Sequence, residues 1–464
     1  MRAYVHRYPL IAVSGFPPIL ADQTLASSPL RRVSSVTMAV PASSAELIDL
    51  AIAPGGAQEW RDPSRYWPGL TAATAELDPP YAVLDASALA FNAHDLIRRA
   101  GGRRIRVASK SLRSRAVLAS VLAVDGYAGV LAFTLPEALW LAQSSGEYPG
   151  FGDVVVGYPT VDRAAIATLA GSPELAGRVT LMVDSVEHLD LIDSVVSPRA
   201  REAIRLCLDL DASWRIPGLG PAGHIGVRRS PVHTPAQIHD LAAGISERVG
   251  FQLVGVMSYE AQIAGVGDDM PGHRWRSRLI RWMQRRSKTE LLERRCAAVA
   301  AVRGVAELEF VNGGGTGSLE FTAADPSVTE IASGSGLFGP HLFDTYQGFQ
   351  PAPAAAFTLP VVRRPAPDIA TLLGGGWIAS GPPGSDRLPA PVWPQGLKML
   401  SAEMAGEVQT PVSGAAGLTV GDRVWLRHAK AGELCEHVNV LNVIRDGRVA
   451  LQVPTYRGEG KAFL

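Results

Sequence analysis

The sequence predicts an α/β protein: a (β/α)8 barrel of the TIM type, followed by a smaller C-terminal β domain. Three observations lead to this fold class. The chain has 464 residues, enough for one large domain and a second, smaller one. From residue 79 onward, short apolar runs alternate with Ala-, Leu- and Arg-rich stretches of helical period. After residue 343, Pro and Gly become dense and the helical period fades.

Eight apolar runs separated by helical stretches favour a barrel over a doubly wound open sheet. The missing dinucleotide fingerprint after the first run also counts against the open sheet. One helix is expected over residues 86–100, and another from about residue 114. A third is opened by Thr134 as a cap, with Pro136 and Glu137 in its first turn. The predicted strands are residues 81–85, 105–109, 129–133, 153–157, 179–185, 204–210, 251–259 and 307–312.

These patterns divide the chain into three predicted parts. Residues 1–74 form an N-terminal extension that we expect to be partly disordered, because short apolar runs mix there with Arg, His and Pro. Residues 75–345 form the barrel. Residues 346–464 form the β domain, with short extended runs and little helical period.

Composition excludes several classes of protein. Lys plus Arg and Asp plus Glu are each 44, so the chain lacks the basic footprint of a nucleic-acid binder. No apolar stretch approaches the roughly 20 residues that span a membrane. Cys207, Cys296 and Cys435 are far apart in sequence, which argues against a disulfide framework and for a reducing, cytoplasmic setting.

Lys110 is the first candidate for chemistry. It follows a predicted strand in the segment RVASKSLRS. Catalytic groups of a barrel lie at the C-terminal ends of its strands, and a lysine there can form a Schiff base with a carbonyl group. The alternative is a surface lysine at the end of a strand.

A glycine-rich loop is the second candidate. Residues 312–318, NGGGTGS, follow a predicted strand. Glycines let backbone N–H groups approach an anion, and the Thr and Ser hydroxyls add donors, so the loop predicts a phosphate site. Residues 333–336, SGSG, could form a second arm of the same site. The alternative is a tight, flexible turn, and the absence of a Gly-Lys-Ser/Thr ending argues against a nucleotide P-loop.

Taken together, the motifs make the chain resemble the fold type III, alanine-racemase-like family of pyridoxal 5'-phosphate (PLP) enzymes. Within it, the chain looks like the branch of D-threonine aldolase and D-serine dehydratase, also called amino acid deaminase/aldolase. The family implies a barrel that carries the cofactor, a C-terminal β domain, and a homodimer with sites at its interface. The matching segments are PPYAVLDASALAFN, RVASKSLRS, GVLAFTLPEALWLA, DVVVGYP, GVMSYEAQ, FVNGGGTGS and ELCEHVN, within residues 79–439.

The resemblance implies roles for particular residues. Lys110 matches the lysine that carries the cofactor, and Tyr259 matches a tyrosine beside it. His224 falls where the family has an arginine near the cofactor ring, next to an apparent insertion at residues 213–223. The residues that match the phosphate loop are Gly314, Gly315 and Thr316.

The chain also departs from the branch. Val107 and Ala108 replace a proline and a histidine before the lysine, and Leu112 stands at a later histidine position. Gln262, in the segment YEAQ, stands where the branch has a histidine base, although an amide cannot take up a proton. Glu260 and His437 are the alternative bases, and each could instead be a solvated side chain.

The family also implies a divalent metal, zinc or manganese, held by a His-x-Cys or His-x-Asp pair. The counterpart here is Glu433 and Cys435, to which His428 or His437 could add a ligand. On a strand, two alternate residues would point to the same side. The alternative is a buried free cysteine beside a surface acid.

The resemblance implies a lyase acting on a small-molecule substrate, a β-hydroxy amino acid of D configuration. The reaction is either retro-aldol cleavage or dehydrative deamination. Two alternatives remain: an amino acid racemase, with Tyr259 or a tyrosine from a partner chain as its second base, and a non-catalytic PLP carrier. The second domain argues against the carrier.

Overall fold

The structure is a computed structural model that describes residues 47–51, 58–146, 148–382 and 384–464. Most of the predicted N-terminal extension therefore lies outside the described residues. The strands are β1 (Tyr81–Asp85), β2 (Arg104–Ala108), β3 (Tyr127–Ala132), β4 (Val154–Val156), β5 (Val179–Val183), β6 (Ile204–Asp209), β7 (Trp214–Arg215), β8 (His224–Ile225), β9 (Phe251–Ser258), β10 (Phe310–Gly313), β11 (Glu330–Ser333), β12 (Ala355–Ala366), β13 (Ile369–Leu373), β14 (Ala390–Trp393), β15 (Lys398–Met399), β16 (Gln409–Ser413), β17 (Arg423–Arg427), β18 (Val440–Arg445) and β19 (Arg448–Pro454).

The helices alternate with the strands as far as residue 338 and are absent from the later described residues, apart from short 3-10 turns. Side-chain caps begin several of them; one is Thr134, whose hydroxyl accepts a hydrogen bond from the backbone N–H of Glu137. The α-helices are α1 (Pro63–Ala73), α2 (Ala86–Arg99), α3 (Arg115–Leu122), α4 (Leu135–Ala142), α5 (Arg163–Ala170), α6 (Pro173–Arg178), α7 (Val186–Val195), α8 (Pro235–Ser246), α9 (Ala261–Ala264), α10 (Arg274–Arg303), α11 (Leu319–Ala323) and α12 (Ser335–Phe338).

Eight parallel strands close into a barrel in the order β10-β11-β2-β3-β4-β5-β6-β9. Its interior is filled by apolar side chains, including Val155, Met182, Cys207, Val254 and Phe310. The barrel is therefore a packed core whose open space lies at the ends of the strands. The predicted fold class, a barrel followed by a β domain, is confirmed.

One strand assignment was wrong. Residues 81–85 were counted among the eight barrel strands, but β1 lies in the other sheet, antiparallel to β12 and parallel to β18. The eighth barrel strand is β11, a run of four residues that pairs with β10 and β2. An apolar run indicates that a strand is buried, but it does not indicate which sheet the strand joins. For this reason β1 was assigned to the barrel in place of β11.

The second sheet has nine strands, in the order β15-β16-β13-β12-β1-β18-β19, with β17 pairing with β12 and β14. Helix α1 covers part of it. Asp62 caps this helix, Pro63 opens it, and Tyr66, Trp67 and Leu70 are buried against the sheet beside Trp425. The boundaries 1–74, 75–345 and 346–464 stay predictions.

No helix among the described residues is both long and apolar enough to cross a membrane.

Candidate active site

A cavity opens at the C-terminal ends of the barrel strands. Because parallel strands end at one rim, residues that follow different strands meet there. Lys110 lies in the 3-10 turn Ser109–Ser111 after β2, and Tyr259 directly follows β9. The other cavity-lining residues at or just after the ends of barrel strands include Tyr158, Asp209, Gly314, Gly315, Thr316, Ser333, Gly334 and Ser335.

Lys110 points its amine at a tyrosine. The Lys110 Nζ donates to the Tyr158 hydroxyl over 2.9 Å. Burial opposes ionisation of this phenol, but the Lys110 ammonium and Arg229 outweigh burial, so the pKa of Tyr158 is lowered. Tyr158 can therefore exchange a proton with the lysine. Sequence reasoning missed it, although it follows the end of β4 as Lys110 follows the end of β2.

Tyr259 also lines the cavity, but its environment differs. Burial raises the pKa of its phenol, against the opposing effects of Lys110 and Arg229. The Arg229 guanidinium lies 5.5 Å from the ring centre of Tyr158 and 5.7 Å from that of Tyr259. Arg229 thus faces both tyrosines, and Tyr158 ionises more readily than Tyr259.

The two glycine loops lie side by side because β10 and β11 are neighbours in the barrel. The Thr316 hydroxyl is 2.9 Å from the Ser333 hydroxyl and 3.1 Å from that of Ser335. Gly314 has a φ of +81°, a backbone conformation that residues with a side chain rarely adopt. Its N–H donates a hydrogen bond to the Glu260 carboxylate over 3.0 Å. The loops therefore bring three hydroxyls and several glycines to the rim of the cavity.

Glu260 accepts a hydrogen bond from the glycine loop at Gly314 and does not line the cavity. Its fully buried carboxylate also accepts hydrogen bonds from the hydroxyls of Ser318 and Thr322. Arg295 lies between Glu260, at 3.4 Å, and Asp325, at 2.7 Å, and all three side chains are 0% exposed. Glu260 is committed to this network and is not placed to act as a base on a substrate.

Several predicted residues do not line this cavity. His224 lies on the β7–β8 hairpin, where its Nε2 is 3.0 Å from the Val227 carbonyl oxygen, and Arg229 lies in the cavity instead. The insertion at residues 213–223 forms this hairpin, which is why a match by position missed the arginine five residues later. Gln262 is buried and donates to the Ala212 carbonyl oxygen over 2.7 Å. His437 stacks on the ring of Trp377, with ring centres 4.8 Å apart.

The predicted metal ligands also lie outside the cavity lining. Glu433 and Cys435 belong to the 3-10 turn Gly432–Glu436 and not to a strand, so two alternate residues point in different directions. The Glu433 carboxylate accepts from the backbone N–H groups of Lys430 and Ala431, each over 2.7 Å. Burial raises the pKa of the Cys435 thiol. Within the described ranges, no group of three or more His, Cys, Asp or Glu side chains could hold a metal ion.

Two aspartates at the cavity ionise very differently. Burial and the nearby carboxylate of Asp184 raise the pKa of Asp209 to about 7. Burial opposes ionisation of Asp211 too, but hydrogen bonds from His233, Ser213 and Arg215 hold its pKa well below the usual range. Near neutral pH, Asp209 therefore exchanges between its neutral and charged forms, whereas Asp211 stays charged.

We expect replacement of Asp209 with Asn to stabilise the protein increasingly as pH rises. The folded-state pKa of Asp209 lies above its unfolded value, so its contribution to stability is complete below about pH 4 and lost as pH rises through about 7. The variant should gain about 2–3 kcal/mol over the wild type between pH 5 and pH 8, at about 1.4 kcal/mol for each pH unit below the folded-state pKa. Urea unfolding at both pH values measures this.

Asp211→Asn is the matched control, because the lowered pKa of Asp211 gives the opposite sign. The carboxylate of Asp211 stabilises the fold at pH values above its unfolded-state pKa. Its replacement should therefore lower the stability of the protein at neutral pH. A pH-independent difference between Asp209→Asn and the wild type would show that Asp209 does not titrate in this range.

We compared the chain with protein families, curated proteins and solved structures. No family model matches the chain. A curated relative, 3-hydroxy-D-aspartate aldolase from Paracoccus denitrificans, is 25% identical over 277 residues, which are 57% of this chain and 61% of that protein. The chain thus matches about three fifths of the length of this curated relative.

Solved structures show the fold. D-threonine aldolase from Filomicrobium marinum has a TM-score of 0.67 at 19% identity, covering 83% of this chain and 96% of that chain. D-threo-3-hydroxyaspartate dehydratase from Delftia sp. HT23 has a TM-score of 0.62 at 18% identity, covering 83% and 98%. The predicted resemblance to the D-threonine aldolase and dehydratase branch is confirmed at the level of fold.

Proposed function

We propose that the chain is a PLP-dependent lyase of β-hydroxy amino acids with D configuration. One observation carries the proposal: an amine-bearing residue, Lys110, shares a cavity with two glycine- and hydroxyl-rich loops at the C-terminal rim of the barrel. This is the donor set that an aldehyde cofactor with a phosphate group requires. The relatives described above, two aldolases and a dehydratase, support the reaction class.

The residues fit this cofactor. Lys110 would hold its aldehyde carbon, and the hydroxyls of Thr316, Ser333 and Ser335 would donate to its phosphate. At Gly314 and Gly334 an added Cβ would overlap neighbouring protein atoms, so these glycines let the two loops pack closely at the rim of the cavity. Arg229 and Tyr259 would flank the ring, and Arg229 takes the place that we assigned to His224 from the sequence.

When bound, the cofactor supplies a conjugated ring that accepts the electron pair of a bond broken at the substrate α-carbon. The chain's own groups then handle protons. Tyr158, with its lowered pKa, can take a proton from the Lys110 Nζ at 2.9 Å and return it. The freed amine of Lys110 can in turn act on a substrate proton. Gln262, which faces Ala212, takes no part in this scheme.

The metal does not fit. Both Glu433 oxygens accept backbone hydrogen bonds, and the Cys435 thiol is fully buried with a raised pKa. Coordination would require each group to leave a satisfied environment. The proposed reaction therefore involves no zinc or manganese.

We further propose a cytoplasmic homodimer whose substrate is a free amino acid. The dimer rests on the family resemblance, and the location on the scattered cysteines, all three of which are free in the structure. The racemase alternative would use Tyr259 as its second base. The pKa of Tyr259 is raised and that of Tyr158 is lowered, so Tyr158 is the better candidate for proton exchange.

Product analysis tests the proposal. Cofactor-loaded protein is incubated with D-threonine and, separately, with 3-hydroxy-D-aspartate, and the products are identified by NMR. Aldol cleavage gives glycine with acetaldehyde or glyoxylate. Dehydration gives ammonia with 2-oxobutanoate or oxaloacetate. Each reaction is repeated after dialysis against EDTA, and we expect its rate to persist.

Other outcomes would contradict the proposal. Formation of the L-epimer or solvent deuterium at the α-carbon, without cleavage or ammonia, would establish the racemase instead. Bound cofactor without turnover of either substrate would favour the non-catalytic carrier. Loss of the rate on chelation and its recovery with manganese or zinc would show that a metal takes part despite the donor set.

A further inference from the structure

A loop from the second sheet brings a further cation to the cavity. Lys430 follows β17 by three residues, and Lys430 and Ala431 line the cavity together with the barrel residues. They are the lining residues contributed by the described part of the chain after residue 346. The cavity is thus completed by a side chain that no barrel strand positions.

Two contacts fix this loop. The Glu433 carboxylate accepts from the backbone N–H groups of Lys430 and Ala431 and closes the turn. Gly432 packs on the turn that carries Lys110, where an added Cβ would overlap the Lys110 carbonyl oxygen. The loop is therefore held against the reactive lysine by a contact that only glycine permits.

Among the described residues, the ammonium group of Lys430 has no carboxylate partner. Its Nζ donates to the carbonyl oxygen of Ser380 over 3.1 Å and lies 3.4 Å from the Ser380 hydroxyl. No ion pair to Lys430 occurs among the residues that the structure describes, since the nearby Glu433 is committed to backbone groups. Burial and the cations Arg387, Lys110 and Arg229 lower the pKa of Lys430. An anion in the cavity would relieve this excess of positive charge.

Lys430 is a cation at the cavity that the two lining carboxylates do not neutralise, because Asp211 is paired with Arg215 and Asp209 is partly neutral near pH 7. Arg229 lies beside Tyr158, to which Lys110 is hydrogen-bonded, so it can reach the carboxylate next to the substrate amine. Lys430 comes from a separate loop, and the phosphate of the cofactor would be held by the two glycine loops, so Lys430 is available to a second carboxylate of the substrate. A substrate with one carboxylate would leave this half-buried ammonium unpaired.

We propose that Lys430 binds the side-chain carboxylate of the substrate, so that the enzyme acts on 3-hydroxy dicarboxylic amino acids of D configuration. This inference rests on the proposed lyase function. Lys430 is a specificity-determining residue in it, while Lys110 and Tyr158 handle the reacting amine.

The test compares two substrates in two variants. We expect the wild type to prefer 3-hydroxy-D-aspartate to D-threonine in kcat/KM. Lys430→Met should lose about 30-fold more on 3-hydroxy-D-aspartate than on D-threonine, the effect of one charged hydrogen bond. Lys430→Arg should recover most of this selective loss. Lys398→Met removes an exposed lysine from β15 and should change neither value.

A binding measurement separates this proposal from the lyase proposal. D-aspartate and D-alanine have no β-hydroxyl group, so their binding can be followed without turnover by the cofactor absorbance, or by calorimetry if no cofactor binds. We expect D-aspartate to bind more tightly than D-alanine, and Lys430→Met to remove most of the difference. Equal affinities, or equal losses on both ligands, would overturn the role of Lys430. Absence of turnover alone would overturn only the lyase.

Discussion

Lys110→Ala will lower kcat/KM by at least about 1000-fold, because it removes both the group that holds the cofactor aldehyde and the amine hydrogen-bonded to Tyr158. The activity is measured with the better of the two β-hydroxy substrates. The cofactor should still bind weakly through the glycine loops, so its affinity falls while the protein stays folded by circular dichroism.

Lys430 is the competing lysine, since it lines the same cavity. Borohydride reduction of the loaded protein followed by peptide mass spectrometry distinguishes the two, and the label should lie on Lys110. Lys398→Ala serves as the control for a lysine outside the cavity. A label on Lys430, or a Lys110→Ala variant that keeps its activity, would show that the cofactor is held elsewhere.

Arg295→Met will destabilise the protein by about 3–5 kcal/mol, the cost of leaving buried charges without their partner. Arg295 compensates Glu260 and Asp325, whose side chains are 0% exposed. Because Glu260 also holds the N–H of Gly314, the glycine loop should loosen and cofactor affinity should fall as well. Urea unfolding measures the first effect and cofactor titration the second.

Arg286→Met is the matched control, because Arg286 lies on the same helix, α10, with its side chain exposed. It should change stability by less than about 0.5 kcal/mol. The double variant Arg295→Met with Glu260→Gln should recover part of the loss by removing one uncompensated charge. A loss below about 1 kcal/mol in Arg295→Met would show that the three groups are not a coupled ionic network.

The fold was predictable because hydrophobic periodicity is a local signal that a barrel repeats. Hydrophobic periodicity did not predict that β11, and not β1, belongs to the barrel. The sheet that a strand joins depends on partner strands hundreds of residues away in the sequence. Tyr259 was assigned through the family resemblance, whereas Lys110 and residues 314–316 could be placed at the rim because each follows a predicted strand. Tyr158 carried the same signal and could have been found by it.

Other parts of the site depend on tertiary contacts. Arg229 follows an irregular hairpin whose length shifts any match by position, and Lys430 reaches the cavity from the other sheet. The metal assignment relied on a strand where the chain forms a 3-10 turn. The sequence around Glu260 did not indicate that its carboxylate contacts Arg295 and the backbone of the glycine loop.

The position of β1 has a consequence for how the chain folds. Its neighbours begin at residues 355 and 440, so this segment emerges from the ribosome long before either partner exists. Contacts of such sequence separation are slow to form, and until then both edges of an apolar strand are open to other chains. The barrel strands can pair in the order of synthesis, whereas the second sheet can be completed only after β19 has been translated. Shortened chains that end between β11 and β18 should therefore aggregate, although every barrel strand is present in them.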